Sequence, residues 1–143
     1  MVVPQRDGTL NCMYDIAIVG AGPAGLSGAL IADSVGMSTC LIESGPIGGT
    51  VAKIGHVNNF LSDATTGPEL VERWQRALDA TSCDLIRDHA EELTPIGDGW
   101  RVRLRSGTEI TAGYVLVVAG NRWVRLDEHP LIAGVAEGID VID

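Results

Sequence analysis

Apolar and polar positions alternate along the chain with two different periods, and the switches between them mark the elements. Asp15-Ile16-Ala17-Ile18-Val19 is an apolar, β-branched run that predicts a buried parallel strand. Behind it, Gly25, Gly28, Ala29 and Ala32 give a small-residue helix that Gly36 is placed to end. A second apolar strand, Ser38-Thr39-Cys40-Leu41-Ile42, runs into Glu43, so these three elements occupy roughly Tyr14 to Glu43. From Pro68 to Ala80, Leu70, Val71, Trp74, Ala77 and Leu78 form one apolar stripe at helical spacing, with charged and polar residues elsewhere. Thr66, three before Glu69, and Pro68 are start signals for that helix, and the stripe makes Trp74 a core residue. Cys83-Asp84-Leu85-Ile86 then reads as a third parallel strand, reached by a crossover through the helix.

Beyond it the period falls to two. Glu91 to Pro95, Trp100 to Arg105 and Glu109 to Thr111 predict three short antiparallel strands, separated by the turn sequences Gly97-Asp98-Gly99 and Ser106-Gly107. Trp100, Val102 and Leu104 alternate with Arg101, Arg103 and Arg105, which gives one buried face and one solvated arginine face. Tyr114 to Gly120 reads as a further, fully buried strand that ends in a small-residue turn. Three stretches lack a period. Residues 1–13 are a loosely held leader broken by Pro4, Gly8 and Asn11, and 126–143 form a C-terminal tail. Ser44 to Gly67 is a long irregular loop, of the kind that is functional or mobile. Residues 14–125 are thus one α/β domain, a Rossmann-like parallel sheet with helices and a three-stranded antiparallel meander.

The junction of the first strand and helix carries the chemistry. Gly20-Ala21-Gly22-Pro23-Ala24-Gly25 has the spacing G-x-G-x-x-G in the strand–turn–helix context that a dinucleotide-binding turn requires. Gly20 permits the tight turn, Gly22 lets a pyrophosphate approach the backbone, and Gly25 lets helix and strand pack closely. Free N–H groups and the positive helix end face the phosphates, and Pro23 suits a first helical position. Glu43 lies about 20 residues further on, where a carboxylate accepts ribose hydroxyls. It would repel a 2′-phosphate, and no arginine adjoins it in sequence. Gly48-Gly49-Thr50 reads either as another backbone turn against the ligand or as a flexible connector.

Composition narrows the partners. The 143 residues carry a net charge of −9 and 45% hydrophobic residues, which fits a globular domain and offers no basic patch for nucleic acid. No apolar run is long enough for a transmembrane helix, and residues 1–13 lack the apolar core of a signal peptide, so a cytoplasmic location is expected. Cys12, Cys40 and Cys83 have neither metal nor C-x-x-C spacing, and no metal site is expected. Cys40 and Cys83 fall in apolar runs, as small buried hydrophobes do.

The element order, together with Gly20-Ala21-Gly22-Pro23-Ala24-Gly25, Glu43 and Gly48-Gly49, resembles the FAD-binding domain of thioredoxin reductase-like flavoproteins. Val57-Asn58-Asn59-Phe60, Gly67-Pro68-Glu69-Leu70 and Val118-Ala119-Gly120 are similar to that family's local motifs, and the resemblance spans about residues 14 to 125. It implies Gly20, Gly22, Pro23, Ala24 and Gly25 on the pyrophosphate of FAD and Glu43 on the adenosine ribose. It also implies Gly49 and Thr50 on the flavin side, Asn59 near the ring, His89 and Ala90 at the adenine, and Ala119 and Gly120 closing over the cofactor. The family's second nucleotide-binding domain, its C-x-x-C and its late Gly-Asp segment have no counterpart in these residues, which argues against thioredoxin reduction by this chain alone.

The expected function is therefore an FAD-binding oxidoreductase or the flavin-binding part of one, supplied by a nicotinamide nucleotide or a separate reductase. The alternative is a non-catalytic module that binds FAD or another adenine nucleotide and acts through protein contacts. His56 and His89 are the mid-chain groups that titrate near neutrality, and neither is assigned a catalytic role. A homodimer, or a partner chain completing the flavin pocket, is expected to cover the open ring end.

Overall fold

A computed structural model describes residues 3–4, 10–11, 13–57 and 66–120. Two short strands, β1 (Val3–Pro4) and β2 (Leu10–Asn11), pair antiparallel within the stretch expected to be a loosely held leader. The main chain of the fold then runs through β3 (Met13–Val19), α1 (Pro23–Ser34) and β4 (Thr39–Ile42). It continues through α2 (Gly67–Asp79), β5 (Asp84–Ile86), β6 (Ala90–Ile96), β7 (Gly99–Leu104) and β8 (Glu109–Val117). One six-stranded sheet holds them in the order β5-β4-β3-β8-β7-β6.

The first four strands of that order are parallel, and their register positions the site. Val19 stands opposite both Ile42 and Val117, and Ile42 stands opposite Ile86. Four carboxyl ends therefore reach the same edge of the sheet, where ligands bind in open α/β folds. β7 pairs antiparallel with both β6 and β8.

Both sheet faces are covered at the centre, which is why β3 and β4 are apolar without alternation. On the helix side Ile18, Leu26, Ala29, Leu41 and Leu78 are buried together. On the other side Ala17, Cys40, Ile42, Val102, Leu104, Ile110 and Ala112 form a second cluster. α1 lies close to the sheet because its inward positions are small; a Cβ on Gly28 would stand 3.0 Å from the Leu116 side chain. α2 opens on a capping box. The Thr66 hydroxyl accepts from the Glu69 N–H at 3.3 Å, and the Glu69 carboxylate accepts from the Thr66 N–H at 3.2 Å. Trp74 packs partly buried against the helix-side core, as its stripe position implied.

Several sequence expectations change. Glu109–Thr111 and the strand from Tyr114 are one element, β8, whose first half pairs with β7 while most of its length pairs with β3. Gly113 does not interrupt it, since the backbone passes so close to β3 that a Cβ there would sit 3.2 Å from the Asp15 carbonyl oxygen. Nor is that strand fully buried: Tyr114 is 69% and Val117 57% exposed. Val102 and Leu104 are buried as expected, but Trp100, near the start of β7, is 38% exposed. Cys40 is fully buried, whereas Cys83, just ahead of β5, is only half-buried. Burial, helped by the Asp84 and Asp33 charges, pushes its thiol up to about 11.

The arginine face of the meander is an ion-pair lattice. Arg103 meets Glu91 at 2.9 Å and Glu92 at 3.0 Å, Arg105 meets Glu91 at 3.2 Å, and Arg101 meets Glu109 at 3.4 Å. These charges are neutralised in place on the solvated face that the alternation predicted, and solvent screening keeps the contribution of each pair small. No helix among the described residues is long and apolar enough to cross a membrane.

Candidate functional site

The turn after β3 is shaped by glycines that do three different things. Gly20 has φ 107°, a conformation L side chains rarely adopt, and a Cβ there would stand 2.5 Å from the Val118 carbonyl oxygen. Its N–H donates to the Ile42 carbonyl at 2.8 Å, and the Val118 N–H donates to the Val19 carbonyl at 2.9 Å. The turn is thus pinned between the ends of β4 and β8. Gly25 is buried, and a Cβ on it would collide with the Gly20 carbonyl oxygen. Gly22 is different. It caps α1 in an ordinary extended conformation (φ −76°), with Pro23 at the first helical position, and a Cβ there would meet nothing within 4 Å. The space above the open helix end is free, and a helix N-terminus favours an anion there.

Glu43, just past β4, ties this turn to the next. Its Oε2 accepts from the Ala21 N–H at 2.7 Å and its Oε1 from the Gly45 N–H at 2.7 Å. Each carboxylate oxygen keeps a further acceptor site. The Glu43 N–H donates to the Ile86 carbonyl at 3.0 Å, and the next residue, Arg87, sends Nη1 to the Gly45 carbonyl at 2.9 Å. An arginine therefore does stand beside the Glu43 loop. Sequence adjacency missed it, because it is the parallel pairing of β4 with β5 that brings it there.

The loop after Glu43 is ordered by the same turn. The Gly48 N–H donates to the Ala21 carbonyl at 2.8 Å, and Gly48 (φ 92°) packs where a side chain would run into Val71 of α2. Gly49–Lys53 then forms a 3-10 turn inside a segment expected to be irregular. A Cβ on Gly49 would lie 3.7 Å from the Gly22 Cα, so the Gly48-Gly49-Thr50 segment runs as a backbone turn beside Gly22.

Together these segments enclose a cleft of about 420 Å³ at the carboxyl edge of the sheet. Gly20, Gly22, Pro23 and Ala24 form one wall, Glu43 stands at another, Gly49 and Thr50 border a third, and Ala119 and Gly120 close the β8 side. Nine of the sequence-derived candidates thus converge. Gly25 does not line the cleft; it packs behind the turn. His89 and Ala90 do not reach it either. The His89 N–H donates to Asp88 at 2.7 Å, its carbonyl accepts from the Arg105 N–H at 2.8 Å, and Ala90 begins β6. Asn59 and the tail lie outside the described residues, and His56 is exposed away from the lining. Sequence reasoning missed Gly45, Pro46, Ala52, Lys53 and Val118 as lining residues. For Lys53 a signal existed, since it is the chain's single lysine and follows the Gly-Gly turn. Among the described residues no group of three His, Cys, Asp or Glu side chains is placed to hold a metal.

The arrangement has known counterparts. No family model matches the chain. A thioredoxin reductase of Ureaplasma parvum serovar 3 is 30% identical over 116 residues, 80% of this chain and 37% of that protein. An alkyl hydroperoxide reductase component of Pseudomonas putida is 31% identical over 77% of this chain and 22% of that protein. Among solved structures, the thioredoxin reductase of Streptococcus pyogenes superposes with a TM-score of 0.76 at 29% identity, covering 81% of this chain and 38% of that one. That of T. acidophilum, at 24% identity and a TM-score of 0.74, shares the fold. The chain spans little more than a third of the length of the thioredoxin reductases it matches. Over about four fifths of its length the chain is thioredoxin reductase-like, and its sheet and helices have the FAD-binding Rossmann-like fold of those enzymes.

Proposed function

We propose that the cleft binds FAD and that the chain is the cofactor-holding part of a flavin-dependent oxidoreductase. The observation that carries this reading is the open space over Gly22, at the start of α1, in the same cleft as the Glu43 carboxylate. A dinucleotide needs that combination: an anion site on a helix end and a carboxylate for ribose hydroxyls. The α1 terminus receives the diphosphate, and the acceptor sites left on Glu43 take the ribose. Gly49 and Thr50 flank the ring side, while Ala119 and Gly120 close the opposite wall. The bound flavin would supply hydride or electron transfer, and the protein's part is to hold and orient it. A nicotinamide nucleotide or a separate reductase serves as donor. The proposal includes a cover for the ring end, a second copy or another chain. Exposed Val117 beside the cleft-lining Val118 supports it, and light scattering with and without FAD reports it.

The test is spectroscopic. Protein purified and mixed with FAD should show a retained flavin spectrum that dithionite or a nicotinamide nucleotide bleaches. Colourless protein that still binds ADP would instead assign a nucleotide-binding module without redox chemistry.

A further inference from the structure

Among the described residues the cleft lining contains two charged side chains, and they differ in kind. Glu43 is fastened by the Ala21 and Gly45 N–H groups, both at 2.7 Å. The other is Lys53, at the end of the 3-10 turn that begins beside Gly22. Lys53 is the only lysine in a chain of net charge −9. It enters no ion pair among the described residues, whereas Arg101, Arg103 and Arg105 are held by glutamates and Arg87 by the Gly45 carbonyl.

A dianionic diphosphate brought to this cleft meets the Glu43 carboxylate within the same walls. The helix terminus offers only partial positive charge. Among the described residues Lys53 is the one full positive charge lining the space, on a four-carbon stem that lets the ammonium follow the phosphates.

We infer that Lys53 is the cationic determinant of nucleotide affinity in this cleft, pairing with the diphosphate of the ligand. The inference rests on the nucleotide reading above and deepens it. Lys53 is exposed, so its contribution is modest and screened by salt.

The experiment is a calorimetric titration of the parent, Lys53→Met and Lys53→Arg with ADP, FAD and adenosine at low and high salt. Lys53→Met keeps the apolar stem and removes the charge. It should bind ADP and FAD about fivefold more weakly at low salt, the gap closing at high salt. Its affinity for adenosine, which has no phosphate, should match the parent's, and Lys53→Arg should keep parental ADP affinity. Equal ADP affinity of Lys53→Met and the parent at low salt would overturn the inference while leaving the nucleotide reading intact. So would an equal loss for adenosine, which marks a structural defect. A parent that binds neither ADP nor FAD refutes the nucleotide reading and this inference with it.

Discussion

The Glu43 carboxylate accepts the Ala21 N–H at 2.7 Å, from a residue in the middle of the glycine turn. With its other oxygen on the Gly45 N–H, Glu43 fixes the distance between the two loops that face each other across the cleft. Its expected ribose contact therefore rests on a side chain that is held before any ligand arrives, and such preorganisation lowers the ordering cost of binding.

Glu43→Ala should consequently lose on two counts. Two hydrogen bonds to a charged acceptor disappear, so urea unfolding should register a loss of about 1.5–3 kcal/mol. ADP and FAD should bind more weakly by about 1–3 kcal/mol beyond what the altered stability explains. Glu43→Gln, which keeps one acceptor oxygen, should fall between. Parental stability and parental affinity in Glu43→Ala would remove Glu43 from both roles.

Two glycines of one motif should fail differently. Gly22 has an ordinary φ and open space, so Gly22→Val should keep parental stability and lose nucleotide binding. Gly25→Ala forces a methyl group against the Gly20 carbonyl and should cost about 1–3 kcal/mol in unfolding experiments. The reverse pattern would mean that the open space at Gly22 is not the ligand's.

Much of this division is legible in the sequence, because the chemistry is local. Gly20, Gly22, Gly25 and Glu43 sit at spacings set by one strand–turn–helix–strand unit, and Thr66 and Glu69 cap α2 within a single turn. What stays hidden depends on long-range pairing. Arg87 joins the Glu43 loop only through the β4–β5 register, and β8 serves two neighbours at once, so its halves read as separate strands. Family likeness places His89 and Ala90 at the adenine where the meander opens, and there they stand outside the cleft lining. Lys53 carries a sequence signal as the chain's single lysine after the Gly-Gly turn, but a lone charge in a glycine-rich loop has no periodicity that would direct it to the cleft.

Acid should loosen the fold through carboxylates that hold loops together. Ser38, through its N–H and then its hydroxyl, keeps Asp15 below the usual aspartate range, and the Ser82 hydroxyl and N–H do the same for Asp33. The Ser106 hydroxyl and then the His89 N–H lower Asp88. In each case the unfolded chain binds the proton more readily. This stability is therefore fully present above about pH 4 and is lost as pH falls through the lowered values. Urea midpoints measured from pH 6 down to pH 2 should decline through that window. In Asp15→Asn the decline should be smaller, and an unchanged slope would contradict the assignment.

Cys83 should react sluggishly. A thiol pushed up to about 11 holds little thiolate at pH 8, and only the thiolate is nucleophilic. Iodoacetamide labelling followed by peptide mass analysis should find Cys83 modified at least tenfold more slowly in the native protein than after unfolding. Equal rates would show that its burial is not maintained in solution.

The central claim is that the cleft at the carboxyl ends of β3, β4 and β8 holds a flavin dinucleotide over Gly22. Titration calorimetry with FAD, run side by side on the parent and on a folded Gly22→Val chain, tests it most directly. Saturable one-to-one binding by the parent, abolished in Gly22→Val at parental stability, is the predicted result. A parent that takes up no FAD, or a Gly22→Val chain that binds it as tightly as the parent, would contradict the account.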